Sequence, residues 1–130
     1  MRIEHVALWA RDIEVLRAFY ERYFAASPGP RYDNPRNGFA SYFLSFADGA
    51  RIELMQMPSV PDTGKDIARQ FMGYIHLAMA VGDEGAVDAL TARLAAAGHR
   101  VIDPPRRTGD GYYESVVLDP EDNRIEIVAG

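Results

Sequence analysis

Two histidines and two glutamates occupy repeated positions in this chain of 130 residues. His5 lies in the segment IEHVAL and His76 in the similar segment YIHLAM, 71 positions further on (5 to 76). Glu53 lies in RIEL and Glu126 in RIEI, 73 positions apart (53 to 126). Imidazole nitrogens and carboxylate oxygens are common ligands of first-row divalent metal ions. If two similar halves pack together, these four side chains can surround one ion.

The elements around these residues also repeat. Each half is predicted to fold as strand–helix–strand–strand–strand, because alternating and helical apolar spacings follow one another in the same order. Asp12 and Asp83 stand in front of the two helical segments as N-caps. Gly98 is expected to end the second helix, and the run 28–30 (PGP) is expected to end the first.

Each half is predicted to close with a hairpin. The first comprises residues 41–46 and 51–57 around an Asp-Gly turn, and the second comprises residues 112–118 and 124–128. Tyr42 and Tyr113 are 71 positions apart, whereas the glutamates are 73 apart. We therefore expect two extra residues in the second hairpin turn, 119–123. Residues 101–102 are expected to form a short strand, and residues 104–111 a loop.

Strand alternation predicts which way the four candidate ligands point. His5 shares a face with Ala7 and Trp9, opposite aliphatic neighbours, and Glu53 likewise lies opposite Ile52 and Leu54. The same pattern holds for His76 and Glu126. Because the aliphatic faces should pack on the helices, all four polar groups are expected on the other face. Alternation alone does not establish that they converge.

The composition narrows the possible partners and the location. The chain has no cysteine, which excludes disulfides and thiolate ligands, and its net charge of −5 without a basic run argues against nucleic acid. No stretch approaches the ~20 apolar residues of a membrane span. No secretory signal pattern is evident, so the cytoplasm is the expected location. We expect one domain over residues 1–130, with repeats at about 1–57 and 73–130 joined by a connector, 58–72.

The order His5, Glu53, His76 and Glu126 on two such units resembles the glyoxalase I / vicinal oxygen chelate superfamily. The closing segment DPEDNRIE (119–126) and the opening strand and helix look like the corresponding segments of that superfamily. The resemblance covers essentially the whole chain. It implies an α+β fold of two βαβββ repeats in a U-shaped mixed sheet with the helices outside, a homodimer and a small-molecule substrate.

Two positions depart from the glutathione-dependent glyoxalases. Trp9 stands four residues after the first histidine, where those enzymes usually carry arginine. Met57 stands four residues after the first glutamate, where they usually carry asparagine. Both family residues help to hold glutathione, so the departures argue against glutathione as co-substrate. Glu53 in turn argues against the ring-cleaving dioxygenases, which use two histidines and one glutamate.

The ligand set suits Zn²⁺, Ni²⁺, Co²⁺ or Mn²⁺. Such an ion polarises two neighbouring substrate oxygens, so that an enediolate becomes accessible from an α-oxygenated carbonyl compound. A glutamate beside the ion then carries the proton between carbons. Glu126 and Glu53 are the catalytic candidates, and the resemblance favours Glu126. The expected function is a lyase or isomerase of lactoylglutathione lyase type; a ring-cleaving dioxygenase and a drug-binding resistance protein are the alternatives.

Further residues are candidates for shaping the pocket. An apolar wall is one interpretation of several large side chains, and core or dimer packing is the other: Trp9, Met55, Met57, Tyr74 and Tyr113. Arg106, Arg107 and the segment 109–111 would either close over an anionic substrate or form a solvated loop. The connector 58–72 would be a lid or a subunit contact. His99 has no counterpart in the first half and is expected at the surface.

Overall fold

The computed structural model describes residues 1–62 and 64–130. The chain divides into two compact units, Met1–Gly64 and Lys65–Gly130. Each unit contains one helix and one mixed sheet. No helix in the described ranges is long and apolar enough to cross a membrane.

The first unit has a five-stranded sheet. Its strands follow the spatial order β1-β5-β4-β2, and β3 pairs with β4 beside β2. β1 runs parallel to β5, and the other pairs are antiparallel. The elements are β1 (His5–Trp9), α1 (Ile13–Phe24), β2 (Ser27–Pro28), β3 (Tyr32–Asn34), β4 (Phe39–Ser45) and β5 (Arg51–Gln56).

The second unit repeats this topology with four strands in the order β6-β9-β8-β7. Its first and last strands are again parallel, and β7 takes the edge position that β2 and β3 share in the first unit. The predicted α+β class with two repeats is therefore confirmed. The elements are β6 (His76–Gly82), α2 (Glu84–Ala96), β7 (Val101–Arg107), β8 (Tyr113–Leu118) and β9 (Arg124–Ala129).

Both helices begin where the sequence predicts, but α1 ends at a different residue from the one predicted. The carboxylates of Asp12 and Asp83 accept hydrogen bonds from backbone N–H groups of the first turns, which confirms both N-caps. Gly98 follows the end of α2 with φ at 90°, a left-handed conformation that glycine adopts readily. α1 ends earlier than predicted, because Ala25 already takes a left-handed φ of 52°.

Each sheet buries its aliphatic face beside its helix. In the first unit Leu16, Leu44 and Leu54 are fully buried, and in the second Leu94 and Ile127 are. Burial of such side chains stabilises a fold by roughly 1.5–3 kcal/mol each. The opposite face of each sheet is thereby left for polar groups.

The two-residue difference between the repeats lies elsewhere than predicted. Phe43 pairs with Glu53, and Val116 pairs with Glu126, so both strands of the hairpins are offset by the same 73 positions. In the first unit the helix N-cap and the edge-strand residue paired with Leu44 are 16 positions apart (12 to 28). In the second unit the N-cap and the edge-strand residue paired with Val117 are 18 positions apart (83 to 101). The extra residues therefore lie between the helix N-cap and the edge strand, where α2 is itself one residue longer than α1, and not in the turn 119–123. A shift of two residues keeps every side chain on its face, so alternation could not reveal it.

The predicted loop at 104–111 is also partly wrong. β7 continues through Pro104 and Pro105 to Arg107, with irregular pairing to β8 on either side of Asp103. β7 is an edge strand, where proline is tolerated because its missing N–H does not break a second ladder. Arg106 and Arg107 consequently lie on a strand, and they point to opposite faces.

A carboxylate network ties α1 to its sheet. Glu14 accepts hydrogen bonds from the Tyr42 hydroxyl at 2.7 Å, from Arg31 at 2.8 Å and from Arg17 at 3.0 Å. The hydrogen bond from Tyr42, followed by those from the two arginines, lowers the pKa of Glu14 from 4.5 to about 2. Ionised Glu14 therefore contributes stability above pH 4.5, and this contribution is lost as the pH falls toward 2.

Glu14→Gln is expected to lower the free energy of unfolding by about 1 kcal/mol at pH 7, a modest figure because the carboxylate is partly exposed and screened by solvent. The difference from wild type should shrink between pH 4.5 and pH 3. Urea denaturation at pH 7, 4 and 3 measures it. Glu21→Gln, which removes only a contact with Arg17, is the control and should cost less. Equal losses in both variants, or a loss independent of pH, would contradict the network.

Candidate metal centre

In the first unit, the pairing of β1 with β5 brings the predicted histidine and glutamate together. His5 lies opposite Arg51, and Glu53 lies opposite Ala7, so the two candidate ligands are diagonal neighbours on one face. The small Ala7 side chain leaves the space between them open. His5 Nε2 and Glu53 Oε2 are 3.5 Å apart.

The second unit builds the same arrangement from β6 and β9. His76 lies opposite Arg124, and Glu126 lies opposite Ala78. His76 Nε2 and Glu126 Oε2 are 3.2 Å apart. Both glutamates are largely shielded, with side-chain exposures of 16% for Glu53 and 20% for Glu126. Each unit thus presents one nitrogen and one carboxylate oxygen side by side.

These spacings suit two neighbouring ligands of one metal ion. Donors about 2.1 Å from an ion are separated by about 3.0 Å at a right angle and about 3.4 Å at the tetrahedral angle. The observed 3.5 and 3.2 Å lie close to this range. Across residues 1–62 and 64–130, no group of three or more His, Cys, Asp or Glu side chains is arranged so that it could hold a metal ion. Each unit on its own therefore supplies two donors.

The first pair has a carboxylate neighbour that the sequence analysis missed. Glu4 accepts a hydrogen bond from His5 Nδ1 through one oxygen and from the Arg51 guanidinium through the other. These two hydrogen bonds hold the pKa of Glu4 below its usual 4.5. Glu4 stands directly before His5, whereas Ile75 stands before His76. A comparison of the two halves therefore did not single out Glu4.

The second unit has a further carboxylate on the same face. Glu114 lies on β8 beside the strand that carries Glu126, its side chain is only 11% exposed, and Arg106 Nη2 is 3.6 Å from its Oε1. Burial first, and then the negative charge of Glu126, raises the pKa of Glu114 above 4.5. In the first unit the position with the same pairing is Ser41. Because the repeat offers no second copy, the comparison of halves did not single it out.

The proposed apolar wall is only partly on this face. Trp9 and Met55 share it with His5 and Glu53, and Trp9 packs edge-on against Phe39 with ring centroids 6.1 Å apart. Tyr113 does not belong to it, because its hydroxyl donates to Asp88 of α2 at 2.7 Å on the opposite face. Tyr113 and Ser115 are two residues apart on β8 and therefore share a face. Ser115 contacts Thr91 of the same helix, so alternation places Tyr113 on the helix side.

The remaining wall candidates lie at strand ends. Met57 is half-buried directly after β5, and Tyr74 is fully exposed two residues before β6. Their role in a pocket stays a prediction. His99 is half-buried in the connection between α2 and β7 rather than fully at the surface.

The two arginines of β7 have different roles. Arg107 forms an ion pair with Glu84 of α2 and lies over the Tyr113 ring at 5.6 Å, which places it on the helix side. Arg106 contacts Glu114 on the face that carries His76 and Glu126. Residues 108–112 form a tight turn, in which Thr108 N donates to Tyr112 O at 2.8 Å. Of these two arginines, Arg106 is the one placed on the face of His76 and Glu126.

The end of the connector belongs to the second unit and packs on the turn between β8 and β9. Arg124 donates to the Ile67 carbonyl at 2.9 Å, and Lys65 binds the Asn123 side chain. A pocket of about 220 Å³ lies between this segment and the β8–β9 turn, bordered by Phe71 and Tyr74. Thr63, within the predicted connector, lies outside the described residues. A lid or subunit role for the connector stays a prediction.

Comparison with known proteins agrees with this architecture. The family model described as the Glyoxalase/Bleomycin resistance protein/Dioxygenase superfamily matches residues 2–127. The uncharacterized protein YqjT of Bacillus subtilis (strain 168) is 25% identical over 130 residues, covering 98% of each chain.

Two solved structures illustrate the shared fold. A glyoxylase/bleomycin resistance protein/dioxygenase domain from Frankia sp. EAN1pec superposes with a TM-score of 0.81 at 21% identity, over 100% of this chain and 98% of that one. Glyoxalase I from Zea mays gives a TM-score of 0.77 at 20% identity over 99% of this chain, which spans 44% of the maize chain. At these identities the likeness concerns the fold.

Glu114→Gln is expected to stabilise the metal-free protein more at pH 7 than at pH 4. The folded protein disfavours ionised Glu114. The contribution of protonated Glu114 to the free energy of unfolding is therefore fully present below about pH 4.5, and it is lost as the pH rises through the raised pKa. Glutamine cannot ionise and avoids this loss. Urea denaturation of both proteins with a chelator present measures the difference. The same comparison made in protein that also carries Glu126→Gln should give a smaller difference, because the neighbouring negative charge is then absent. A difference that does not change with pH would contradict the assignment.

Proposed function

Because this chain belongs to the glyoxalase/bleomycin resistance protein/dioxygenase superfamily, we propose that it is a metal-dependent lyase or isomerase of lactoylglutathione lyase type. Its substrate is a small molecule with an α-oxygenated carbonyl group. The observation that carries the proposal is the duplicated His–Glu pair, whose donor atoms are spaced like neighbouring metal ligands in both units.

The proposed ligands are His5, Glu53, His76 and Glu126, bound to one divalent ion. Zn²⁺, Ni²⁺, Co²⁺ and Mn²⁺ all accept such mixed nitrogen and oxygen donors. Since each unit supplies two donors, a complete site needs the His5–Glu53 pair and the His76–Glu126 pair together. The two pairs would come from one chain or from the two chains of a homodimer. The single domain over residues 1–130 is part of the same proposal.

The ion, when bound, would act as a Lewis acid that polarises two neighbouring substrate oxygens and acidifies the adjacent C–H. Glu126 then removes this proton as a general base and becomes a neutral carboxylic acid. It returns the proton to the neighbouring carbon, which completes an isomerisation without net gain or loss of atoms. Glu53 is the equivalent carboxylate of the other pair and the second candidate for this role.

The co-substrate is proposed to be something other than glutathione. Trp9 and Met57 replace the arginine and asparagine expected in glutathione-dependent relatives. Trp9 offers a large apolar surface, 43% exposed, on the face of the first pair. Such a surface favours an apolar group of the substrate over the charged ends of a tripeptide.

Glu126→Gln is expected to lower turnover by about 10²- to 10⁴-fold, because an amide cannot accept and return the proton. The measurement is NMR detection of deuterium incorporation from D₂O at the carbon next to the carbonyl. The substrates are a panel of α-hydroxy carbonyl compounds and methylglyoxal with glutathione, each supplied with Ni²⁺, Zn²⁺, Co²⁺ or Mn²⁺. Glu121→Gln, in the adjacent turn, is the control and should retain activity.

Other outcomes separate the alternatives. Unchanged exchange in Glu126→Gln would refute its role as proton carrier. Consumption of O₂ with Fe²⁺ and a catechol would favour a ring-cleaving dioxygenase. Protein purified without a histidine tag that holds no divalent metal, and whose thermal midpoint does not rise with added Ni²⁺, Zn²⁺ or Mn²⁺, would favour a binding protein.

A further inference from the structure

The two His–Glu pairs are alike in spacing but not in what holds the histidine. His5 is contacted on both sides of its ring, with Nδ1 bound to the Glu4 carboxylate and Nε2 facing Glu53 at 3.5 Å. The ring is also packed edge-on against Phe43, with centroids 5.2 Å apart. The orientation of this imidazole is thus fixed by three neighbours.

The Glu4 carboxylate, which binds His5, is in turn fixed by Arg51. Arg51 binds the second oxygen of Glu4, and its backbone N–H donates to the Glu4 carbonyl at 3.0 Å. The Arg51 guanidinium lies 4.3 Å from the centre of the Phe43 ring. Glu4, His5, Phe43 and Arg51 therefore form a closed cycle of contacts on one face of the first unit. Such a cycle limits the rotation of each member.

The second unit keeps the arginine of this cycle but not its carboxylate or its phenyl ring. The residue before His76 is Ile75, whose side chain has no hydrogen-bond acceptor. Val116 takes the place of Phe43 in the strand pairing. Arg124, the counterpart of Arg51, donates instead to the Ile67 carbonyl at 2.9 Å. His76 thus keeps its contact with Glu126 without a carboxylate on the preceding residue.

We propose that Glu4 is a positioning residue that fixes the tautomer of His5 with the proton on Nδ1 and the lone pair on Nε2. An ionised carboxylate can only accept a hydrogen bond, so the nitrogen hydrogen-bonded to Glu4 must carry the proton, whereas Nε2 lies 3.5 Å from Glu53 Oε2, beyond a normal hydrogen bond. The other nitrogen, Nε2, then keeps its lone pair for a metal ion on the side of Glu53. The first pair is prepared for a metal before it binds, whereas the second pair is not.

The tautomer is measurable without any metal. In metal-free protein at pH 8, ¹⁵N shifts from long-range ¹H–¹⁵N correlation spectra identify the protonated ring nitrogen. The expected result is protonated Nδ1 for His5 and a mixture for His76. Glu4→Ala and the less disruptive Glu4→Gln should move His5 toward a mixture, while Ile75→Ala, the equivalent position of the second unit, should leave His5 unchanged.

A wild-type His5 with a tautomer mixture, or with the proton on Nε2, would overturn the proposal whatever the variants do. So would a His5 tautomer that Glu4→Ala and Glu4→Gln leave unchanged in folded protein.

Metal affinity gives the second readout, and it rests on the proposed function. Competition with a chromogenic chelator for Ni²⁺ and Zn²⁺ should show about 10- to 100-fold weaker binding in Glu4→Gln, the usual effect of removing such a partner. If the tautomer shifts as expected but wild-type protein binds neither ion, the role of Glu4 stands and the proposed metal chemistry fails. If the metal binds with unchanged affinity in Glu4→Gln, the preparation of the first pair by Glu4 is refuted.

Discussion

The parallel pairing between the first and last strand of each unit is the constraint on which the candidate centre depends. It sets the histidine diagonally across from the glutamate, with an alanine beside the carboxylate, in both units. A change of register by one residue would exchange the two faces of the strand, turning the histidine or glutamate toward the helix and the aliphatic side chains away from it. The buried Leu54 and Ile127, which neighbour the two glutamates, resist such a change because they would enter water.

Much of this arrangement could be predicted from sequence because it depends on alternation and caps. His5, Glu53, His76 and Glu126 were placed on their faces by a period of two, and Asp12 and Asp83 marked the helix starts. What alternation cannot distinguish is a shift by an even number of residues, so the extra pair of residues was assigned to the wrong connection. The left-handed Ala25 and the proline-containing edge strand β7 were missed because both depend on tertiary position rather than on local preference.

The polar partners of the site were harder to predict for a different reason. Glu4 and Glu114 lack copies in the other half, so a search for repeated residues passes over them. Their significance comes from contacts with Arg51 and Arg106 that join different strands. Duplication therefore reveals what the two halves share, and the structure reveals where they differ: a histidine held by a carboxylate in one unit and a shielded second carboxylate in the other.

The length difference between the units is accommodated between the helix N-cap and the far edge of the sheet, away from the strands that carry the candidate ligands. The edge strand is separated from the histidine-bearing strand by two others in each unit, interrupted as β2 and β3 in one and irregular as β7 in the other. Insertions and deletions there leave the paired donors in place. Changes of length at the far edge of each sheet thus leave the pairing of β1 with β5 and of β6 with β9 unaltered.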